Sequence, residues 1–380
     1  MENVVLLGAS GSIGQQTLDI LRAHPDEFRL VGASVGKRID SLRAILNEFK
    51  TVKYACVQEE NSELIKEFPQ VTFFSKDEGL IKLVSIDDCT KVINSLVGFV
   101  GFLPSLKTIE NNKDLILANK ETLVAGGDLI KEALRHSSSN LYPIDSEHSA
   151  IWQCLHGNRR EDLNRLIITA SGGSFRNLKR EELKNVTKND ALKHPTWSMG
   201  AKITIDSATM MNKAFEIMEA HYLFDVDYQD IDVLLHDESI IHSLIEFKDG
   251  AQLAQLGSPD MRIPIQYALT YPEHSKAYKE ETLDLAKIGT LHFREIDYDC
   301  YPLVKIVKDL APYGGNIGAV LNGANDTAVN LFLEDKISFL DIEKSIIKAL
   351  KAMTFKGKPD VNDIVEAYQF GVNFVKSLYE

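Results

Sequence analysis

Six short apolar runs in the first 145 residues constrain the fold of this chain more than any other feature. They are Val4 to Leu7, Phe28 to Ala33, Ala55 to Val57, Val71 to Phe74, Val92 to Ser95 and Leu115 to Ala118, with helical apolar spacing between them. Runs this short suit strands buried on both faces, and strands joined through helices pair parallel rather than as hairpins. The expectation for residues 1–145 is therefore an open, mostly parallel sheet covered by helices on both faces.

Beyond residue 145 the rhythm changes. Leu166 to Thr169, Ile231 to Leu235, Ile241 to Phe247 and Gln252 to Leu256 read as strands, and Asp249-Gly250 between the last two is a hairpin turn signal. This predicts a central α+β domain over 146–271. Residues 272–300 carry Pro272, Gly289 and scattered charges without sustained periodicity, as a connector does. From 301 to 380 the pattern is helical. Asn316 to Leu333, Phe339 to Met353 and Asp360 to Leu378 each space apolar residues three or four apart, the signature of a small helix bundle. The predicted class is thus α/β, with three structured regions, which suits a chain of 380 residues.

Charge and cysteine usage exclude several function classes. With 42 basic against 55 acidic residues the net charge is −13, which opposes binding to nucleic acid or anionic lipid. An anionic substrate would need a local basic pocket. Cys56, Cys89, Cys154 and Cys300 have neither zinc-ligand spacing nor the density of a disulfide framework. No run of eighteen uncharged apolar residues occurs, and the amino terminus opens directly into a strand pattern, so a cytoplasmic protein is expected.

The first strand leads into Gly8-Ala9-Ser10-Gly11-Ser12-Ile13-Gly14, with helical spacing from Gln15 to Arg22. Unpaired amides at such a helix start, at the positive end of the helix dipole, can hold a pyrophosphate. Its place after the first strand of a βαβ series makes the domain Rossmann-like and favours dinucleotide binding over a mere tight turn. An NAD site carries a carboxylate at the end of the second strand. Here that position reads Ser34-Val35-Gly36-Lys37-Arg38, two cations and no acid, which fits the 2′-phosphate of NADPH.

Candidate metal and phosphate groups follow. Tyr142-Pro143-Ile144-Asp145-Ser146-Glu147-His148, if extended, turns Asp145 and Glu147 to one side as hard oxygen ligands for Mg²⁺ or Mn²⁺. In Asp206-Ser207-Ala208-Thr209-Met210-Met211-Asn212-Lys213-Ala214-Phe215-Glu216-Ile217-Met218-Glu219, Ser207 is a good helix N-cap. Asn212, Glu216 and Glu219 then share one helical face with Lys213 beside it, and the spacing does not separate Glu216 from Glu219. Ser171-Gly172-Gly173 can form an oxyanion-binding turn. His194-Pro195-Thr196-Trp197-Ser198-Met199-Gly200 reads as a lid over the substrate, with Trp197 touching it.

The strings LGASGSIG, LANKETLV, DSEHSA, ASGGSF, HPTWSMG and DSATMMNKAFE stand in an order and spacing that resembles the 1-deoxy-D-xylulose-5-phosphate reductoisomerase family across residues 7 to 216. GGNIGAVLNGAND at 314 to 326 resembles that family's carboxyl-terminal segment. The resemblance implies that Ser10, Gly11, Ser12, Ile13, Gly36, Lys37, Arg38, Asn119, Glu121 and Gly200 contact NADPH, and that Lys120 reaches the substrate. It also implies that Asp145, Glu147 and Glu216 hold the metal and that Ser146 binds the substrate backbone. Ser171, His194, Ser207, Asn212 and Lys213 would hold the sugar phosphate and neighbouring oxygens, and only the family pattern selects Glu216 over Glu219. Lys120, Asp145, Glu147, His194 and Glu216 form the implied catalytic set, on a homodimer. Ser174 in place of a frequent proline and Ala214-Phe215 in place of Gly-Leu depart from the pattern without removing a polar group. Two rivals need less: a metal-independent NADP dehydrogenase would lack the three carboxylates, and an NADPH sensor would lack the phosphate and lid groups.

Overall fold

The computed structural model of the chain describes residues 1–197, 199–279 and 282–380. Two compact units emerge. The first comprises Met1–Thr122, Leu129–Asp145 and a segment beginning at Asp260; the second comprises Leu123–Asp128, Ser146–Pro259 and the carboxyl-terminal part of the chain.

In the first unit the strands are β1 (Glu2–Leu7), β2 (Phe28–Ser34), β3 (Tyr54–Val57), β4 (Thr72–Ser75), β5 (Lys91–Asn94), β6 (Asp114–Leu117) and β7 (Leu141–Pro143). They pair parallel throughout, in the order β4-β3-β2-β1-β5-β6-β7. Val4, Val5, Leu6 and Leu7 are all fully buried, as the unbroken apolar run requires. The direction of strand addition reverses between β1 and β5, so loops leaving the carboxyl ends of these strands diverge and open a crevice there. The six apolar runs match β1 to β6 within a residue or two; β7 was not marked by a run of its own.

The second unit holds β8 (Leu163–Ala170), β9 (Ile231–His236), β10 (Ile241–Phe247), β11 (Gln252–Leu256) and β12 (Phe293–Glu295) in the order β11-β10-β8-β9-β12. Pairing is antiparallel except between β8 and β9. Gly250 takes φ +86° in the β10–β11 hairpin, which explains the Asp-Gly signal. The carboxyl-terminal helices Ile317–Leu333, Phe339–Ala352 and Val361–Ser377 start after Asn316, Ser338 and Asp360, the last two in capping boxes that satisfy the free amides of a helix start.

Two boundaries differ from the sequence reading. Residues 260–271 were assigned to the central region, yet the segment from Asp260 folds with the first unit. There Gln266, on the buried face of the helix Arg262–Thr270, bonds His24 Nε2 at 2.9 Å. The stretch 272–300 is more than a connector: β12 pairs antiparallel with β9, where backbone groups on the sheet edge need partners whatever the local periodicity.

Candidate active site

The carboxyl edge of the first sheet gathers several of the residues singled out above. Gly8 follows β1 with φ +77°, and a Cβ there would stand 2.7 Å from the Ser95 carbonyl oxygen, so the loop passes β5 too closely for any other residue. The helix Ser12–Ala23 begins after Gly11 with no side-chain cap, leaving its first amides to an anion. Gly36, Lys37 and Arg38 follow β2 and are exposed. Arg38 reaches back, its Nη1 donating to the Ser10 carbonyl at 2.8 Å, so a cation is held beside the glycine loop. The residues present fit a phosphorylated dinucleotide.

Asn119, Lys120 and Glu121 follow β6 and are buried. Asn119 Nδ2 donates to the Leu96 and Gly98 carbonyls at 3.0 and 2.9 Å, while Oδ1 accepts from the Thr122 amide and hydroxyl. Glu121 accepts from the Gly98 amide at 3.1 Å. These two side chains therefore hold the 96–98 loop after β5. Lys120 Nζ lies 3.0 Å from Asp145 Oδ2, with both side chains largely buried.

In the second unit the functional groups converge on the carboxyl end of β8. The expectation of an extended 145–147 is overturned: Ser146–Leu155 is a helix, with Glu147 in its first turn and Asp145 just before it. Carboxylates at this end are favoured by the helix dipole. Ser146 Oγ donates to Glu147 Oε2 at 2.5 Å. Ser207 is not an N-cap either. It lies inside the helix Ala201–Ala208, and the next helix, Met211–Phe224, starts after Met210 in the left-handed region at φ 60° with no side-chain cap. The buried face Thr204, Ile205, Asp206 and Ala208 carries the earlier helix past Ser207.

Lys213 binds this region together. Its ammonium lies 2.5 Å from Glu216 Oε2 and 3.0 Å from Glu147 Oε1, and donates to the Thr169 carbonyl at 2.7 Å. Asn212 donates to Glu216 as well. Oxygens of Glu147 and Glu216 lie within 4.8 Å of each other, and carboxylate oxygens are the hard ligands that Mg²⁺ takes. One ammonium already bridges this pair, so the two hard donors accept a cation between them. Asp145 adds a third carboxylate two residues along the chain from Glu147.

Ser171, at the end of β8, meets His194 at 3.0 Å from Oγ to Nε2. His194 Nδ1 accepts from the Thr196 and Trp197 amides at 3.2 and 2.9 Å, so in the neutral ring the proton sits on Nε2 and is donated to Ser171. Burial first, then Arg176 and Lys213, lowers the His194 pKa to about 4. Gly173, at φ +68°, lies so near Ser207 that a Cβ would be 2.5 Å from its carbonyl oxygen; the Ser171 turn and Ser207 are thus neighbours. Trp197 tilts against His242 at 6.3 Å between ring centres, and Gly200 caps the following helix; Ser198 of the expected lid lies outside the described residues.

Three groups here escaped the sequence reading. Arg176, bonded to the Ser171 and Asp237 carbonyls, adds positive potential beside the turn. His242 supports Trp197. His148 is fully buried, with Nε2 at 2.9 Å from the Glu216 carbonyl oxygen and Nδ1 at 3.4 Å from Glu219 Oε2. Isolated histidines and arginines carry no spacing signal, so only the fold identifies them. Of the two glutamates left open earlier, Glu219 faces His148 and Glu216 faces Lys213 and Asn212.

Comparison with known proteins decides the family. The model for 1-deoxy-D-xylulose 5-phosphate reductoisomerase matches residues 4–127, and two models for carboxyl-terminal domains of that enzyme match 141–224 and 256–370. The 1-deoxy-D-xylulose 5-phosphate reductoisomerase of Geobacillus sp. (strain WCH70) is 49% identical over 380 residues, covering 100% of both chains. This chain belongs to the 1-deoxy-D-xylulose 5-phosphate reductoisomerase family. Solved reductoisomerases share its fold. One in complex with NADPH, fosmidomycin and magnesium matches with a TM-score of 0.91 at 36% identity, covering 100% of this chain and 97% of that one. The enzyme from Zymomonas mobilis in complex with NADPH matches with 0.91 at 34% identity, covering 100% and 99%. The α/β class and the family resemblance drawn from the motif strings are both borne out.

Proposed function

We propose that the chain converts 1-deoxy-D-xylulose 5-phosphate into 2-C-methyl-D-erythritol 4-phosphate, using NADPH and a divalent cation, in non-mevalonate isoprenoid biosynthesis. The observation that carries this is the convergence of Glu147, Glu216 and Lys213 beside the Ser171–His194 pair at the end of β8. An ordinary dehydrogenase has no use for it. The chemistry supplied by the bound groups is polarisation of the ketone and its neighbouring hydroxyl by the cation, and hydride from NADPH.

The chain's own residues do the rest. Asp145, Glu147 and Glu216 hold Mg²⁺ or Mn²⁺ through hard oxygens, and Lys120 stands beside Asp145 where it can meet a substrate oxygen. Ser171, Ser207, Asn212 and Lys213 bind the phosphate. Neutral His194 directs its Nε2 proton to that turn and orients Ser171. Ser146 meets the sugar backbone and Trp197 covers it, excluding water. Residues 1–145 carry NADPH through Ser10 to Ile13, Gly36, Lys37 and Arg38, aided by Asn119, Glu121 and Gly200. Residues 146–259 are the catalytic region, and 301–380 the helical region. The enzyme works as a cytoplasmic homodimer.

The test is NADPH oxidation with 1-deoxy-D-xylulose 5-phosphate, with and without Mg²⁺ or Mn²⁺. Turnover that requires both sugar phosphate and cation is expected. Turnover untouched by chelation would overturn the metal-dependent mechanism.

A further inference from the structure

The segment Gly314 to Asp326 resembles a family motif, yet nothing in the chemistry above uses it. Its last residues lie on the helix Ile317–Leu333 and reach the helix Ala201–Ala208. Asn325 Nδ2 donates to Asp206 Oδ1 at 2.8 Å. Lys202 Nζ, one turn before Asp206, lies 2.9 Å from Asp206 Oδ2 and 3.1 Å from Asp326 Oδ1, and 5.7 Å from the centre of the Phe215 ring. The Tyr368 hydroxyl donates to Asp326 Oδ2 at 3.1 Å. Asn325 is 0% and Asp206 3% exposed.

A buried ionic network of this kind adds less stability than apolar packing of the same volume, and its best-attested use is to fix one geometry. Asn322, one turn before Asn325 and fully buried, sharpens the point: its amide finds no hydrogen-bond partner among the described residues, a cost that a core selected only for stability would not carry. What the network fixes is Asp206. The next residue is Ser207, whose carbonyl lies against Gly173 of the Ser171 turn. Four residues after Asp206, Met210 makes the left-handed turn into the helix bearing Asn212, Lys213 and Glu216.

We propose that Asn325, with Lys202 and Asp326, is a positioning residue for the phosphate-binding turn: held through Asp206, Ser207 stands at the distance from the Ser171 turn that a phosphate needs. This rests on the reading of Ser207 as a phosphate contact. Asn325→Asp sets a carboxylate against the Asp206 carboxylate, and the exchange Asn325→Asp with Asp206→Asn restores an amide–carboxylate bond in reverse.

The experiment measures KM for 1-deoxy-D-xylulose 5-phosphate, the inhibition constant of inorganic phosphate, kcat and NADPH affinity for both variants, with Ser207→Ala in parallel. Asn325→Asp should raise the substrate KM and the phosphate constant about ten-fold, with NADPH affinity unchanged and kcat altered much less. The exchange should recover most of that loss. If Asn325→Asp does not fold, Lys202→Met removes the bridging ammonium and should show the same split. Unchanged phosphate affinity in Asn325→Asp, or no recovery in the exchange, overturns the proposal provided Ser207→Ala weakens phosphate. If Ser207→Ala leaves phosphate affinity intact, it is the reading of Ser207 that falls, and the proposal with it.

Discussion

Two side chains show how the environment sets a role that residue type alone leaves open. His194 is held as a neutral Nε2–H donor because its Nδ1 accepts two amides and because burial and nearby cations oppose a positive ring. Its folded pKa, about 4, lies below the ordinary 6.5, so the unfolded chain binds the proton more readily and the folded form loses stability as pH falls from 6.5 toward 4. Above 6.5 the group adds no pH dependence. An NMR titration of the free enzyme should place the His194 midpoint near 4; a midpoint above 6.5 would show that the ring is not held neutral. Glu216 and Glu219 differ in the same way. Glu216→Gln should lower metal affinity by more than the roughly 10- to 100-fold typical of losing an outer partner, and abolish turnover, with NADPH binding intact. Glu219→Gln, beside His148, should instead cost about 1 to 3 kcal/mol of stability and leave metal affinity within a few fold. Manganese titration and thermal melts of both variants check this, and a reversed ranking would reassign the ligand.

At the scale of elements, the carboxyl-terminal helices were the most legible part of the chain, and their contact was the least. Capping boxes and apolar spacing mark the starts of Phe339–Ala352 and Val361–Ser377 from local residues alone. Nothing local says that Ile317–Leu333 and Val361–Ser377 cross with backbones nearly touching. A Cβ at Gly371 would stand 2.5 Å from the Val320 carbonyl oxygen, and one at Gly323 would overlap the Tyr368 carbonyl. Gly371→Ala should therefore destabilise by about 1 to 3 kcal/mol despite its better helix propensity, because the helices must separate. Urea unfolding measures it; a stabilised variant would mean that the crossing can relax. The helix start at Ser146 was misjudged for the opposite reason. Asp145 to Glu147 was read by strand alternation, but polar residues next to a strand end serve equally well as the first turn of a helix.

For the whole molecule, the four cysteines illustrate what composition can and cannot establish. Their spacing argued against zinc and disulfides, and all four are free and buried. Burial pushes Cys56 up to about 12, and Cys89 and Cys154 to about 11. The native protein should show no fast thiol with a disulfide reagent at pH 8, and four after denaturation; a fast native thiol would mean that one of these cores opens. Sequence alone determined the parallel sheet, because unbroken apolar runs separated by helices have few other ways to be buried. It also determined the site's chemical inventory, since glycine loops and clustered polar strings carry local signatures. Tertiary structure decided which groups meet: Ser171 with His194, Lys213 with Glu147, Asp206 with Asn325, and the segment from Asp260 with the first unit. These pairings join residues 23 to 119 positions apart along one subchain or return a distant segment to an earlier sheet, and such contacts are set by the packing of whole elements, which no local pattern of side chains encodes.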